Sequence, residues 1–310
     1  MSSHSYTIKI GTRGSALALA QAYYVRDCLK NISNLNDINF KIIPIQTSGD
    51  KLSTTKLQDF GGKGLFTKEI EQALLNKMID IAVHSAKDVP TKRQDGLQLI
   101  ATPPREDYRD AYISYKYPLL SYLPQGAVLG TASMRRTAQF LHKRPDLKIV
   151  LLRGNVQTRL QKLKDNLCDA TILALAGLNR LNMSDTATQI LDENEFLSAP
   201  AQGAIMIETA IDISVELLSF LNQINCSDTF DCITAERTFL KALDGNCRMP
   251  IAALAKINNN NNISLTGELL SEDGALKVCQ TITGIRKNAY DIGLNLGQTI
   301  KQEFALCKKP

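Results

Sequence analysis

Histidine is scarce in this 310-residue chain: His4, His84 and His142 are the only three, and no two cysteines form a Cys-x-x-Cys. A zinc site of the usual spacing is therefore not expected, and no metal is assigned. No apolar run approaches the ~20 residues of a membrane span. The opening Met1-Ser2-Ser3-His4-Ser5 leads straight into a strand without a signal-peptide pattern, so the expected location is the cytoplasm. No cluster of lysine and arginine resembles a basic arm, and no nucleic-acid-binding motif or aromatic stacking pattern occurs, which argues against DNA, RNA or a membrane as partner. The phosphate-loop pattern G-x-x-x-x-G-K-[ST] is missing as well.

What is present is a chain with 44% hydrophobic residues, enough for two or three domains that each bury a core. A net charge of +5 is a mild basic excess that suits an acidic ligand. The seven cysteines read as reduced thiols, most of them small buried hydrophobes. Cys247 differs, because it follows a Gly-Asn turn and Arg248 beside it favours the thiolate. On these residues alone, a buried structural thiol is the stronger reading.

The chemistry is expected around Ile81-Ala82-Val83-His84-Ser85-Ala86-Lys87-Asp88-Val89-Pro90. A short apolar strand there turns abruptly polar, and Pro90 prevents a helix from continuing. In open α/β sheets ligands sit beyond the carboxyl ends of strands, so Lys87 and Asp88 are placed to meet one. A surface ion pair on a loop explains this stretch equally well.

Other strands end in the same manner. Residues 6–10 end in Gly11-Thr12-Arg13-Gly14-Ser15, with Ser15 able to cap a helix from Ala16 to about Lys30. A strand at 39–45 ends at Thr47-Ser48-Gly49-Asp50. The Gly-rich stretch that follows, through Gly61-Gly62-Lys63-Gly64-Leu65-Phe66, is a lid or a plain linker, and a helix over 67–75 comes next. After a strand at 97–101, Pro103-Pro104 marks a first crossover to a second α/β unit. In that unit strands end at Thr131-Ala132-Ser133-Met134-Arg135-Arg136, at Arg153-Gly154-Asn155 with Arg159 one turn beyond, and at Leu178-Asn179-Arg180. A second break at 199–204 returns the chain to the first unit through a strand at 205–209. From about Cys226 a helix over 231–243, three strands and a last helix over 291–304 make a small α+β domain, with Asn258 to Asn262 as a loose hairpin loop. The expected fold is α/β: two lobes around a cleft, like those of a periplasmic binding protein, with mixed sheets, plus the C-terminal domain. The expected boundaries are 1–103 with 204–222, 104–203, and 223–310.

Arg13, Arg135, Arg136, Arg153, Arg159 and Arg180, with Lys87, all lie at or just past strand ends. Arginine is favoured where carboxylates or phosphates are gripped by two parallel hydrogen bonds. One carboxylate, Asp88, faces them, with no partner acid at glycosidase spacing. The pattern describes a cationic cleft for a polyanion, with one acid placed for chemistry.

Taken together these motifs, with Leu152-Arg153-Gly154-Asn155-Val156-Gln157-Thr158-Arg159-Leu160, Ala176-Gly177-Leu178-Asn179-Arg180-Leu181, Gln202-Gly203-Ala204 and Gly245-Asn246-Cys247-Arg248-Met249-Pro250, closely resemble the porphobilinogen deaminase family along nearly the whole chain. The resemblance implies a transferase that joins four porphobilinogen units head to tail, releasing ammonia and then hydroxymethylbilane, and acting as a monomer. It implies a dipyrromethane cofactor joined to Cys247 by a thioether. Asp88 then stabilises positive charge that develops on the pyrroles. Ser85, Lys87, Asp88, Thr131, Ser133, Arg135 and Arg136 are implied to hold the cofactor. Arg13, Ser15, Lys63, Phe66, Arg153, Arg159, Arg180 and Gln202 are implied to hold substrate. Three positions depart from the family pattern: Asp59 replaces a common lysine, Ala132 a common serine and Ala201 a common glycine.

Other function classes fit less. A two-lobed solute-binding protein does not need a third domain presenting Cys247. A Schiff-base enzyme using Lys87 needs an apolar pocket, which the nearby arginines and Asp88 do not supply.

Overall fold

The computed structural model describes residues 7–32, 38–51, 66–245 and 249–308. It falls into two compact units, Met1–Arg105 with Ala204–Phe230, and Glu106–Gly203 with Asp231–Pro310. The chain opens with β1 (Thr7–Arg13), α1 (Ala16–Lys30), β2 (Asn39–Ile45), α2 (Ser48–Lys51), α3 (Lys68–Leu75), β3 (Ile81–Ser85) and β4 (Leu97–Ala101). After the first crossover come β5 (Asp110–Ile113), β6 (Val128–Gly130), α4 (Met134–Lys143), β7 (Lys148–Val150), α5 (Val156–Lys164), β8 (Ala170–Ala174), α6 (Leu175–Arg180) and β9 (Gln189–Ile190). The second crossover leads to β10 (Ile205–Ala210), α7 (Val215–Ile224), α8 (Ser227–Ala242), β11 (Ile251–Ile257), β12 (Asn262–Leu270), β13 (Lys277–Ile285) and α9 (Ala289–Cys307).

The first unit holds a five-stranded sheet in the order β2-β1-β3-β10-β4. β1 is parallel to β2 and β3, and β10 is antiparallel to β3 and β4. Both faces are covered, so β3 reads as a continuous apolar run and not as an alternating one. Ile81 and Val83 join Ile8, Ile10, Val25, Leu29, Ile205 and Ile207 on one face. Ala82 joins Ile70, Ala73, Leu74 and Leu97 on the other. α1 buries Ala18, Gln21, Ala22, Val25 and Leu29, a helical spacing that turns one stripe to the sheet.

The second unit carries a sheet of the same plan, β7-β6-β8-β5-β9. β6 is parallel to β7 and β8, and β5 is antiparallel to β8 and β9. Tyr112, Leu129, Phe140 and Ile172 fill one face, while Ala111, Ile113, Leu160 and Leu173 fill the other. In the same unit β11, β12 and β13 form an antiparallel sheet. Its core joins Phe239 of α8 to Leu265, Leu296 and Ile300. A Cβ at Gly267 would lie 2.5 Å from the Phe239 ring, so glycine is what lets that ring reach the sheet.

Several elements differ from the expectation. α8 starts at Ser227, ahead of the expected Asp231. Residues 48–51 of the expected lid or linker are helical, and residues 52–65, with Asp59 and Lys63, lie outside the described residues. The asparagine loop is tight: Asn258 N–H donates to Asn262 O at 2.9 Å, and its side-chain oxygen accepts from Asn260 and Asn262 N–H at 3.1 and 3.0 Å. Asparagine side chains replace backbone partners in such turns, and Asn261 takes φ 57°. Of the described cysteines only Cys168 and Cys232 are buried, because the others fall on helix surfaces, at a helix start or on an outward strand position.

Candidate active site

In the first unit β1 and β2 end level with each other, Arg13 opposite Ile45. The chain then turns into α1, whose cap is Ser15: its Oγ accepts from Ala18 N–H at 3.3 Å. Arg13 is fixed on two sides. Its NH2 lies 2.5 Å and its Nε 3.2 Å from Asp50 Oδ1. Its guanidinium sits 4.2 Å from the centre of the Phe66 ring, a stacking geometry that suits the delocalised cation. Asp50 is in turn held by Thr47, which donates its hydroxyl at 2.7 Å and its N–H at 3.2 Å. Burial alone would raise the Asp50 carboxyl, but the hydrogen bonds from Arg13 and Thr47 outweigh it and hold the group below its ordinary value.

β3 passes without a loop into a 3₁₀ turn, Ala86–Asp88. Ser85, half-buried at the strand end, pairs with the buried Gln21 of α1, which donates its amide to Ser85 Oγ at 2.9 Å. Lys87 is exposed and Asp88 half-buried. Short turns on rigid strands place side chains more closely than long loops do. His84, one residue before Ser85, is buried and meets Glu208 of β10 at 3.1 Å.

In the second unit Thr131 and Ser133 shape the turn from β6 into α4. Thr131 Oγ1 accepts from Ser133 N–H at 3.1 Å, and Ser133 Oγ accepts from Arg136 N–H at 3.4 Å as the helix cap. Ala132, between them, is exposed. Arg135 and Arg136 follow, 4% and 5% exposed. Both converge on Asp110, at the start of β5. Arg135 NH1 is 2.9 Å from Asp110 Oδ2, while Arg136 donates NH2 at 2.8 Å and Nε at 3.1 Å. Arg136 also donates NH1 to Ile172 O at 2.9 Å. Gln202 gives Asp110 a further donor at 2.7 Å and bonds Tyr108 O at 2.7 Å. Burial would raise the Asp110 carboxyl, yet the charges of Arg135 and Arg136 prevail and hold it far below the carboxylate range.

The expectation that Asp88 alone opposes the cations is therefore corrected. Asp50 and Asp110 stand at strand ends too, because buried or half-buried guanidinium groups need a counter-charge before any ligand arrives. Even so, the Arg135–Arg136–Asp110 group holds two cations for one anion. Glu268, which pairs with Lys277 at 2.6 Å and takes Gln139 Nε2 at 2.7 Å, adds a further negative charge that favours the Arg135 cation. The Nε of Arg135 is buried and has no hydrogen-bond partner among the described residues.

The remaining expected residues lie on turns of the second unit. Asn155 caps α5, accepting from Thr158 N–H at 2.8 Å. Arg159 donates Nε to Gly154 O at 2.8 Å, and Arg153 is half-buried in the turn before. Arg180, ending α6, donates NH2 to Gly203 O at 2.7 Å. Gly203 is needed there: its φ is +87°, and a Cβ would stand 2.4 Å from Glu106 O. Its neighbour Ala201 takes φ +64° without being glycine, and its N–H donates to the buried Glu236 at 2.6 Å. Cys247, with Asn246 and Arg248, lies outside the described residues. The turn before it is tightly packed, since a Cβ at Gly245 would lie 2.4 Å from Ile251 Cδ1.

The sequence reading missed Asp50, Asp110, Glu208 and Glu236. A signal existed for the last two. Glu208 interrupts the apolar run Ile205-Met206-Ile207, and Glu236 falls within the stripe Cys232, Ala235, Phe239 and Leu243 that faces the core. An acid inside an apolar pattern marks a buried hydrogen-bonding task.

Comparison with known proteins adds the chemistry. The model of the porphobilinogen deaminase dipyrromethane cofactor binding domain matches residues 8–214, and that of the porphobilinogen deaminase C-terminal domain matches residues 230–302. The porphobilinogen deaminase of Nitrobacter hamburgensis is 49% identical, over 94% of this chain and 92% of that protein. Those of Paracoccus denitrificans and, as a chloroplastic form, Oryza sativa subsp. japonica are 47% and 48% identical, over 95% and 96% of this chain and 93% and 83% of theirs. Among solved structures, an ancestral cationic amino acid solute binding protein is 13% identical with a TM-score of 0.44 over 71% of this chain and 89% of that one, a likeness too distant to bear on function.

Proposed function

We propose a division of labour among the residues of a chain that belongs to the porphobilinogen deaminase family. Its activity is that of a hydroxymethylbilane synthase, a transferase of tetrapyrrole and haem biosynthesis. Four porphobilinogen molecules are joined head to tail with loss of ammonia, and hydroxymethylbilane is released. The dipyrromethane group bound by the family's first domain supplies the primer from which the pyrrole chain is extended.

The unpartnered Nε of Arg135 supports the reading of the site and fits such a group. A buried cation with an open N–H donor calls for an acceptor of opposite charge, and pyrroles bearing acetate and propionate provide one. Arg135 holds an acid there, while Arg136 and Asp110 keep it in place. Ser85, Lys87, Thr131 and Ser133 complete the set that holds the primer. Arg13, stacked on Phe66 and squared by Asp50, takes an acid of the incoming porphobilinogen. Arg153, Arg159 and Arg180 do the same from the second unit. Ser15 and Gln202 act through the backbone, one capping α1 and the other tying Asp110 to the second crossover. Lys63 adds a cation from outside the described residues.

Asp88 is the catalytic acid residue, used as its carboxylate. Fixed on a short turn, it faces positive charge that develops on a pyrrole ring as ammonia leaves, and it stabilises that charge without reorganising. Cys247 offers the thiolate to which the primer is joined as a thioether.

The C-terminal part is a third domain in this reading, supported by its own sheet and core and by its separate family match. The described cysteines form no disulfide, which supports a reducing compartment such as the cytoplasm. The chain is taken to act as a monomer. Size-exclusion chromatography with light scattering tests that point, and a stable dimer would refute it.

Intact-protein mass tests the central reading. It should exceed the sequence mass by two deaminated porphobilinogen units, mapped to the peptide containing Cys247. Cys247→Ser should fold, carry no adduct and make no bilane. An active protein with no added mass, or with the adduct on another residue, would overturn the assignment.

A further inference from the structure

The primer has two proposed anchors: the Cys247 thioether in the C-terminal domain, and Arg135 of α4, which takes one of its acids. Two anchors serve one ligand only if their separation is fixed. α4 and the C-terminal domain belong to the same compact unit. Contacts between them run along one stripe of the helix. Arg135, Gln139 and His142 are spaced four and three residues apart and share a face. His142 Nδ1 lies 2.7 Å from Gly274 O, in the turn between β12 and β13. Gln139 Nε2 donates to Glu268 Oε1 of β12 at 2.7 Å.

Gln139 also meets Arg135. Its Oε1 accepts from Arg135 NH1 at 3.0 Å, and NH1 gives its other N–H to Leu197 O at 2.9 Å. Only one orientation of the amide fits these neighbours. Its Nε2 donates to Glu268 Oε1 and, at 2.9 Å, to Leu197 O, which leaves the oxygen turned to the guanidinium. Turned over, it would set its NH2 against a cation and its oxygen against a carboxylate. Gln139 and Glu268 are 3% and 2% exposed, so bulk water does not replace a lost partner. Of the two acceptors that hold the amide, Glu268 carries the charge and makes the stronger bond. Its other oxygen pairs with Lys277 at 2.6 Å. The guanidinium is planar, so fixing both N–H groups of NH1 also fixes the direction of the unpartnered Nε.

We infer that Gln139 and Glu268 are positioning residues: Glu268 orients the Gln139 amide, the amide orients Arg135, and the C-terminal domain thereby sets where the second anchor of the primer stands. The inference rests on the reading of Arg135 given above and goes beyond it, since both residues act through Arg135.

The test uses full-length protein made without primer, in cells unable to form porphobilinogen, and loads it with porphobilinogen. Intact mass follows the adduct, and the melting temperature is read before and after loading. Glu268→Leu should need about tenfold more porphobilinogen for half-maximal loading, the effect of one misaligned charge-assisted hydrogen bond. Its melting temperature should rise less on loading than the parent's. A purely structural role would lower both melting temperatures and leave that rise unchanged. Loss of the Glu268 charge cannot mimic the result, because it leaves the site more positive and favours an acid. Glu268→Gln keeps an acceptor for the Gln139 amide and should restore both readings. Parental loading and rise in Glu268→Leu, or a Glu268→Gln that loads no better than Glu268→Leu, would overturn the inference. If Glu268→Leu does not fold, Gln139→Met, Glu268→Met takes its place, since it removes both ends of the amide–carboxylate bond together. Poor loading and a small rise are expected there, and parental values would overturn the inference. Arg135→Leu measured alongside separates the two claims. Parental loading there refutes the role of Arg135, whereas poor loading there with parental loading in Glu268→Leu refutes only the positioning.

Discussion

The two five-stranded sheets share one plan, three parallel strands followed by an antiparallel strand and an edge strand, yet they use the antiparallel strand differently. In the first unit that strand is β10, and its buried acid, Glu208, sits within the sheet opposite Ala82, paired to a histidine. In the second it is β5, and its buried acid, Asp110, opens the strand opposite Ala174, where two arginines reach it. An acid inside a sheet meets side chains of the next strand, here His84 of β3. An acid at a strand's first residue is reached by side chains from outside the sheet, here Arg135 and Arg136 of α4. The same topological slot thus carries a buried acid in both units, paired to a histidine in one and to two arginines in the other.

The sharpest way to break this comparison is Asp110→Asn. It leaves two buried guanidinium groups without a counter-charge, and losing one partner of a buried pair costs about 3–5 kcal/mol. Chemical denaturation at neutral pH should show that loss, and an unchanged midpoint would refute a structural charge at Asp110. The pH dependence has a definite sign. The folded Asp110 carboxyl titrates below its unfolded value, so the unfolded chain binds the proton more readily. Its contribution is present above the unfolded value near pH ~3.9 and is lost as pH falls below it. Parallel melts taken below that value should lose less stability in Asp110→Asn than in the parent.

Asp88→Asn tests the other side. The amide accepts a hydrogen bond but cannot balance ring charge, and losing such a group costs on the order of 3 kcal/mol, a hundredfold or more in turnover. Stability and adduct mass should not change. A cofactor-bearing variant that turns over at the parental rate would remove Asp88 from the mechanism.

Arg135→Leu and Arg136→Leu sharpen the contrast between ligand-facing and structural cations. Arg135 has the open donor, so its loss should weaken carboxylate binding by about 1.5–3 kcal/mol, one to two decades in affinity or a failure to load the cofactor. The three guanidinium nitrogens of Arg136 already bond Asp110 and Ile172 O, so its loss should register first as a lower melting temperature. Equal effects of the two variants on both measurements would dissolve the distinction.

The smallest expected effect is a gain. Ala201 holds φ +64°, where a Cβ costs roughly 1–2 kcal/mol. Ala201→Gly relieves that strain but loosens the unfolded chain by about 0.4–1 kcal/mol, so a net rise of about 1–3 °C in melting temperature is expected. A lower melting temperature would mean that the backbone there is not strained.

How much of this was legible beforehand varies by element. α1 and β2 begin and end where apolar periodicity, the Ser15 cap and the flanking polar turns place them. β3 was found from its apolar run, but His84 within that run was not seen to be a buried partner, since the sequence does not tell which strand lies beside it. The arginines were found because strand ends are visible in sequence. Their counter-charges Asp50 and Asp110 were not, because Asp50 lies in the short helix after β2, and Asp110 lies twenty-five residues before Arg135 on a strand that is not next to the one leading into α4.

By itself the sequence determined the local elements, the two crossovers, the list of cations and the family, since each depends on short-range pattern or on motifs that stand together in the chain. Tertiary structure alone decided which charges are spent on the protein and which remain open. The energy of a buried charge depends on what surrounds it in space. That is why Arg135 and Arg136, adjacent in the chain and alike in chemistry, come to differ only once Asp110, Ile172 O and an unpartnered Nε are in place around them.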